Sequence, residues 1–404
     1  MKKLFSFALC SLALCSVNAQ KTNVDAAKKL SGKIDKIEEA RALINDAKEN
    51  PETSKDPFTY FTAGKIEFDA FDSAKRKQAL NPNDKDVNPL NMGQQLINGY
   101  NNMVLVMPLD QEPNEKGEIK PKYTKDALKQ INGHFDDYWN GALAFYQEQK
   151  YYPEAYNAFL IYGSLPTSEY ADKKVAATPD SLYNQALFNA GVCAYSGNSL
   201  KEAADAFKKA RMQGTSNEQN YVYEIACWQN LASKDSTLAE ASKNEINAIA
   251  RAGYEKFGMD QPIFINNLVN SLVFDDKLDE AIDLINSQIQ KTPEIASLYG
   301  LLGFTYDRKG DDDASVAAYK KAASLPGIDA ENLKLVCKKL YRVGASLREN
   351  MNPADKAAKE NIKNEYFLAA KDAALKAKEL SPETTHDMDS WIENIDYALD
   401  QYFK

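Results

Sequence analysis

Residues able to do chemistry are few in this chain and widely spaced. Histidine occurs twice, at His134 and His386. Neither stands in an HExxH run or beside a cysteine. The convergent ligands that a metal or an acid–base pair needs are therefore not written in the sequence. The phosphate-cradling patterns GxxxxGKS/T and GxGxxG and the nucleophile pattern GxSxG are absent. Beyond residue 20 the cysteines are Cys193, Cys227 and Cys337, an odd number without tight spacing. They read as buried free thiols, since Cys behaves as a small hydrophobe in a helical core. The acidic run from Asp307 to Asp313 lacks the alternating spacing and distal glutamate of an EF-hand loop. Gly310 would turn the chain there, and an aspartate would cap the helix that follows. These residues predict no enzyme, no metal and no cofactor.

What remains is surface, and composition limits its partners. Lys and Arg total 49 against 58 Asp and Glu, a formal charge of −9 over 404 residues. A nucleic-acid binder needs a basic stripe, which this balance does not supply. Residues 1–19 read as a cleavable secretory leader: Lys2 and Lys3 precede an apolar run from Leu4 to Val17, and Val17-Asn18-Ala19 is a small-residue cleavage site before Gln20. Losing the two lysines takes the formal charge from −9 to −11. Cys15 would be the lipidation site of a lipoprotein, but Leu14 precedes it where Gly or Ala is usual. The apolar run is short for a membrane span and nothing later is longer. The expected location is the periplasm or cell envelope, without a spanning helix.

The elements that must position any binding residue follow a 34-residue period. Units starting at Pro262 and Ala296 superpose: Ile265 on Tyr299, Leu268 on Leu302, Val269 on Gly303 and Leu272 on Tyr306. The twentieth position holds Ala281 and Ser315, the twenty-fourth Ile285 and Tyr319, and Pro293 and Pro326 close the units. This period and its large–small spacing resemble the tetratricopeptide repeat (TPR), a stack of helix hairpins. Weaker matches are Trp139, Ala142, Leu143, Tyr146, Ala155 and Phe159, then Leu187, Ala190, Gly191, Ala203, Phe207 and Ala210. A first helix around Val222–Ala226 has its partner displaced to about Ala239–Phe257. A last, degenerate unit would use Leu340, Val343, Gly344 and Leu347, then Ala370, Ala374 and Ala377, separated by a long loop. A final helix over Met388–Phe403 would close the array with Trp391, Ile395, Leu399 and Phe403.

Toward the N-terminus, Asn23–Asn50 reads as one helical stretch. Pro57–Ser73 follows as a first helix capped by Asp56, and then Met92–Met107 as a helix ended by Pro108. Residues 109–122 and 167–180 read as loops, and Tyr123–Gln149 as one helix or two. The resemblance implies an all-α, right-handed superhelical solenoid of TPR-like hairpins with irregular end units. Its expected parts are the leader at 1–19, an irregular helical region at 20–135, a core array at 136–327, and a degenerate repeat with a capping helix at 328–404.

The same resemblance implies a ligand groove at the second, fifth, ninth and twelfth positions of the first helices. Here those are Asn140, then Phe188, Val192 and Tyr195, then Tyr223 and Asn230. Asn266 and Asn270 follow, then Phe304 and Asp307, and last Tyr341 and Arg348. A basic clamp for a C-terminal carboxylate is not evident. The function this implies is a non-enzymatic exported scaffold binding a protein or peptide. A glycan-binding outer-membrane lipoprotein on the same helices is the alternative.

Overall fold

The computed structural model describes residues 22–113, 116–260 and 262–403. The leader expected at 1–19, with Cys15 inside it, lies outside them. Among the described residues there is helix and no strand. None of the described helices is long and apolar enough to cross a membrane. The chain divides into two compact units, the first ending at Ile246 and the second starting at Asn247. Within each, helices adjacent in sequence pack as pairs, so the fold is all-α and solenoid-type.

Unit 1 begins with α1 (22–30) and α2 (Ile37–Glu49). The single stretch expected over 23–50 is broken at residues 31–36 by a turn and a 3₁₀ segment. α3 (Pro57–Leu80) starts as expected: the Asp56 carboxylate accepts from Phe58 N, and Pro57 opens the first turn, where its missing N–H costs nothing. α4 (Pro89–Asp110) is longer than expected at both ends. Asn88 caps it, and Pro108 lies inside its last turn without ending it.

Asp110, 6% exposed, explains that ending. Its carboxylate accepts from the backbone N–H of Lys122 (3.0 Å), Tyr123 (2.8 Å) and Thr124 (2.8 Å) and from the Thr124 hydroxyl (2.8 Å). It thereby caps α5 (Thr124–Gly133) from across the intervening loop, where Tyr123 offers no side-chain cap of its own. Burial alone would raise this carboxyl, but the four hydrogen bonds outweigh it and hold it below the ordinary carboxylate value. Asp110→Asn should cost about 2–3 kcal/mol at pH 7, the worth of hydrogen bonds to a charged group. A depressed folded value means that this contribution is present above the ordinary carboxylate range and is lost as pH falls through the folded value. Urea midpoints of the two proteins should therefore converge below about pH 4. An equal gap at pH 7 and pH 3 would reject the assignment.

α6 (Phe135–Gln147) follows α5 after a break at His134, so 123–149 forms two helices. It pairs with α7 (Tyr152–Ser164). The loop expected over 167–180 contains a short helix, α8 (Lys173–Ala176), capped by Asp172. α9 (Asp180–Ser196) pairs with α10 (Leu200–Met212), then come α11 (Glu218–Lys234) and α12 (Ala239–Phe257), which carries the boundary between the units. A single apolar core runs from Phe68 and Leu96 through Tyr138 and Phe159 to Cys193. The chain therefore does not part at 135/136, where the sequence suggests a division.

Unit 2 contains the regular hairpins α13 (Pro262–Phe274) with α14 (Leu278–Ile289), and α15 (Ala296–Lys309) with α16 (Asp312–Ser324). The packing behind the 34-residue period is visible here. The eighth position of each first helix faces the twenty-fourth on the second. Val269 and Ile285 are both fully buried. A Cβ placed on Gly303 would lie 2.8 Å from the Tyr319 ring, so glycine there gives the tyrosine its seat. In unit 1 Gly191 serves Phe207 in the same way, at 2.4 Å.

α17 (Ala330–Asn350) corrects the register of the last unit. It starts one period after Ala296. Its fourth, seventh, eighth and eleventh residues are Leu333, Val336, Cys337 and Leu340, each at most 1% exposed. The expected set began seven residues later because Gly344, which meets Tyr366, mimics the small eighth position. The long loop expected after it is only residues 351–355. The chain resumes as α18 (Lys356–Ile362), a π-helical turn (Lys363–Leu368) and α19 (Ala369–Leu380). α20 (Asp387–Tyr402) buries Met388, Ile395 and Ala398, with Phe403 just beyond it. The core beneath runs from Val316 to Phe403, so 327/328 is not a break either.

Candidate functional site

Five of the sequence-predicted groove residues come together in unit 1. On α9 they are Phe188, Val192 and Tyr195, and on α11 Tyr223 and Asn230. Tyr223 stands edge-on to Phe188 (centroids 6.0 Å) and to Tyr195 (5.7 Å), and stacks on buried Phe207 (5.7 Å). Asn230 Nδ2 donates to the Tyr195 hydroxyl at 3.3 Å and to the Ala226 carbonyl at 2.9 Å. All five are half-buried. Tyr156 and Trp228 pack against the same cluster, and sequence reasoning missed both. Trp228 stands on the helix that carries Tyr223 and Asn230, but outside the four groove positions of its unit. Asn140 is not part of this patch. It is exposed beside the Lys75–Asp137 ion pair, on a separate pocket with Phe71 and Met92.

Three more come together in unit 2. Asn266 and Asn270, one turn apart on α13, line a pocket of ≈ 500 Å³ with Phe304 of α15. Neither asparagine side chain has a hydrogen-bond partner among the described residues, so both amides are free to pair with a ligand. Across the pocket Asn332 is held by Asp329: its N–H donates to Oδ1 at 2.7 Å and its Nδ2 to Oδ2 at 2.9 Å. A Cβ on Gly300 would stand 1.8 Å from the Asn332 Oδ1, so a side chain at 300 would displace that amide. Gly300 stands at a fifth position and was passed over because it has no side chain to offer. Asn332, third in α17, lies outside the second, fifth, ninth and twelfth positions in the corrected register as well.

The other three expected groove residues are engaged within the protein. Asp307 pairs with the buried Lys339, which also donates to Asp312 at 2.6 Å. Burial would lower the Lys339 ammonium, but the two carboxylates outweigh it and hold it above its ordinary value. Asp311 caps α16 through Ala314 N, and Gly310 ends α15 with φ +80°. The acidic run 307–313 is thus consumed by a buried lysine and a helix cap. Tyr341 is edge-on to Trp391 (5.5 Å) and Phe367 (5.6 Å), and Arg348 sits 4.1 Å over the Tyr402 ring. α20 therefore covers both. In the corrected register Lys334 and Lys338 occupy the fifth and ninth positions of α17, and Asp387 at the start of α20 pairs with both, at 3.6 and 2.9 Å.

Among the described residues no cysteine is activated. Cys193, Cys227 and Cys337 are free and buried, and burial pushes each thiol up to about 12. His134 is buried, stacked on Phe68 at 4.1 Å, with Nδ1 donating to the Gln130 carbonyl at 2.8 Å. His386, in the other unit, is exposed. Among the described residues no group of three or more His, Cys, Asp or Glu side chains is placed to hold a metal ion.

No family model matches the chain, and no curated protein is similar to it. Among solved structures it is similar to the Cut9–Hcn1 assembly of the APC/C, at 12% identity and a TM-score of 0.34. That likeness covers 88% of this chain and 59% of the other, so the chain spans less than two thirds of that protein. It is also similar to a TPR repeats protein from Bacteroides fragilis, at 19% identity and a TM-score of 0.29, covering 67% of this chain and 98% of the other. By their own period, and by the seating of position twenty-four on position eight, the helix hairpins of residues 262–326 are tetratricopeptide-type repeats.

Proposed function

We propose that the chain is a non-enzymatic scaffold that captures a protein segment, with the pocket of unit 2 as a main contact. The observation that carries this is the pair of free amides, Asn266 and Asn270, one helical turn apart beside Phe304. An asparagine amide offers a donor and an acceptor together, the complement of a peptide group, and Phe304 offers an apolar seat. The aromatic patch of unit 1 supplies a second surface of the same kind.

The test is binding of the purified chain to an array of extended peptides, followed by titration of the best binder. Asn266→Ala with Asn270→Ala should weaken that peptide roughly thirty-fold, about 2 kcal/mol for two lost amide pairings. Helical content and melting should not move, because neither side chain holds the fold together. Unchanged affinity in the double variant would remove this pocket from the function.

We also propose that the scaffold works outside the cytoplasm, on the strength of the leader-like residues 1–19. Mass spectrometry of the protein from its native cell should find Gln20 at the N-terminus. An acylated Cys15 there would point instead to a lipoprotein, and an uncleaved Met1 would end the export reading.

A further inference from the structure

Unit 1 holds a second polar cleft that the repeat pattern does not mark. It lies among α2, α3 and α4 and has a volume of ≈ 520 Å³. One face is a stripe of amides on α4: Asn91, Gln94, Gln95, Asn98 and Asn102. The spacing follows the helical repeat, so the stripe runs about 16 Å along the axis. Gln94 Nε2 donates to Asn98 Oδ1 at 2.9 Å and Asn102 Nδ2 to the Asn98 carbonyl at 2.7 Å, which orients the row. The Gln95 Oε1 is shielded from solvent yet has no donor among the described residues. A buried acceptor of this kind is costly unless something pairs with it.

The opposite face sets the charge. Arg41 grips Glu67 with two hydrogen bonds, at 2.9 and 2.6 Å, and reaches Glu38 with a third at 2.6 Å, so its charge is spent. Lys48 makes no ion pair among the described residues. Burial lowers its ammonium and the Glu67 carboxylate only partly offsets this. The cleft thus holds one lysine without an ion-pair partner among the described residues in the same lining as a row of amides. Its lining contains no aromatic ring on which the apolar face of a sugar could rest.

We propose that this cleft binds a short extended peptide segment, its backbone paired with the α4 amides and a carboxylate set against Lys48. Five extended residues span about 16–18 Å, which matches the stripe. Amides complement peptide groups in both donor and acceptor. This site is independent of the pocket in unit 2.

Saturation-transfer NMR on the full chain tests it, with the Asn266→Ala, Asn270→Ala background used throughout to silence the other pocket. The probes are acetyl-tetraalanine with a free carboxylate, the same peptide with a C-terminal amide, and glucuronic acid. The free-carboxylate peptide should give signal and bind at least about fivefold more tightly than the amidated one, about 1 kcal/mol. Lys48→Ala should abolish that preference. Gln95→Leu, which removes a buried unpaired acceptor and keeps the fold, should weaken both peptides roughly tenfold. No peptide signal at millimolar concentration, signal from glucuronic acid alone, or an intact preference in Lys48→Ala would each overturn the proposal.

Discussion

Arg211→Met is expected to destabilise unit 1 by about 3–5 kcal/mol, the cost of breaking a buried ion pair from one side. Arg211 of α10 holds Glu224 of α11 through two hydrogen bonds, Nε to Oε2 at 2.8 Å and Nη2 to Oε1 at 2.9 Å. The Glu224 side chain is fully buried and that of Arg211 is 15% exposed. Methionine keeps the packing of the arginine stem but leaves a carboxylate with no counter-charge. Burial already raises the Glu224 carboxyl above its ordinary value, with Arg211 pulling it back. Without Arg211 the value rises further. A raised folded value means that the variant is most stable below the ordinary carboxylate range and loses stability as pH rises through the folded value. The gap from the parent protein should therefore be larger at pH 7 than at pH 4 in urea unfolding. Pairing the change with Glu224→Leu should recover most of the loss, because an apolar pair of similar volume needs no solvation. A single variant within about 1 kcal/mol of the parent at pH 7 would show the pair to be solvated.

Gly303→Val is expected to cost unit 2 about 1–3 kcal/mol by overpacking, since the added atoms meet the Tyr319 ring at 2.8 Å. Tyr319→Ile alone should also destabilise, because it empties volume in a position only 2% exposed. The two together should be far better than their sum. They recreate Val269 facing Ile285, the pair that the preceding repeat uses at the same two positions, both fully buried. A favourable coupling of about 1–3 kcal/mol in a double-mutant cycle would be the signature of interchangeable repeat packing. Strict additivity would mean that the two positions do not face one another. The Ser315 hydroxyl, which donates to the Gly303 carbonyl at 2.9 Å, should stay in place in the double variant.

The helices with a regular period were readable because each position in them has one neighbour to satisfy. α13 to α16 lie where the 34-residue spacing puts them, and α11 and α12 appear with their insertion in place. Reading failed where a residue answers to something distant. α4 runs through Pro108 because Asp110 is anchored by residues 122–124. α17 starts earlier than expected because Leu333 and Val336 are its buried positions, while Gly344 imitates the pattern one helical stretch later. The candidate sites divide in the same way. Asn266, Asn270 and Phe304 share a pocket, as helical spacing from well-placed units allows. Phe188, Tyr195, Tyr223 and Asn230 cluster across two adjacent first helices. Asp307 sits on a groove position by number but is bound by Lys339, and Arg348, which leaves the groove positions in the corrected register, is bound by Tyr402; no local pattern encodes the approach of either partner.

The sequence by itself determined the helical class, the hairpin period and the small-against-large contacts, because these depend on residue size at fixed spacing along one chain segment. Only the tertiary structure decided which polar groups remain available. Among the described residues the Asn266 and Asn270 amides stay unpaired while the Asp307 carboxylate and the Lys334 ammonium are taken up in ion pairs, and a row of α4 amides lines a cleft with the Arg41–Glu67 pair. A polar side chain binds the nearest partner in space, and that partner is set by helix packing between residues far apart in the chain.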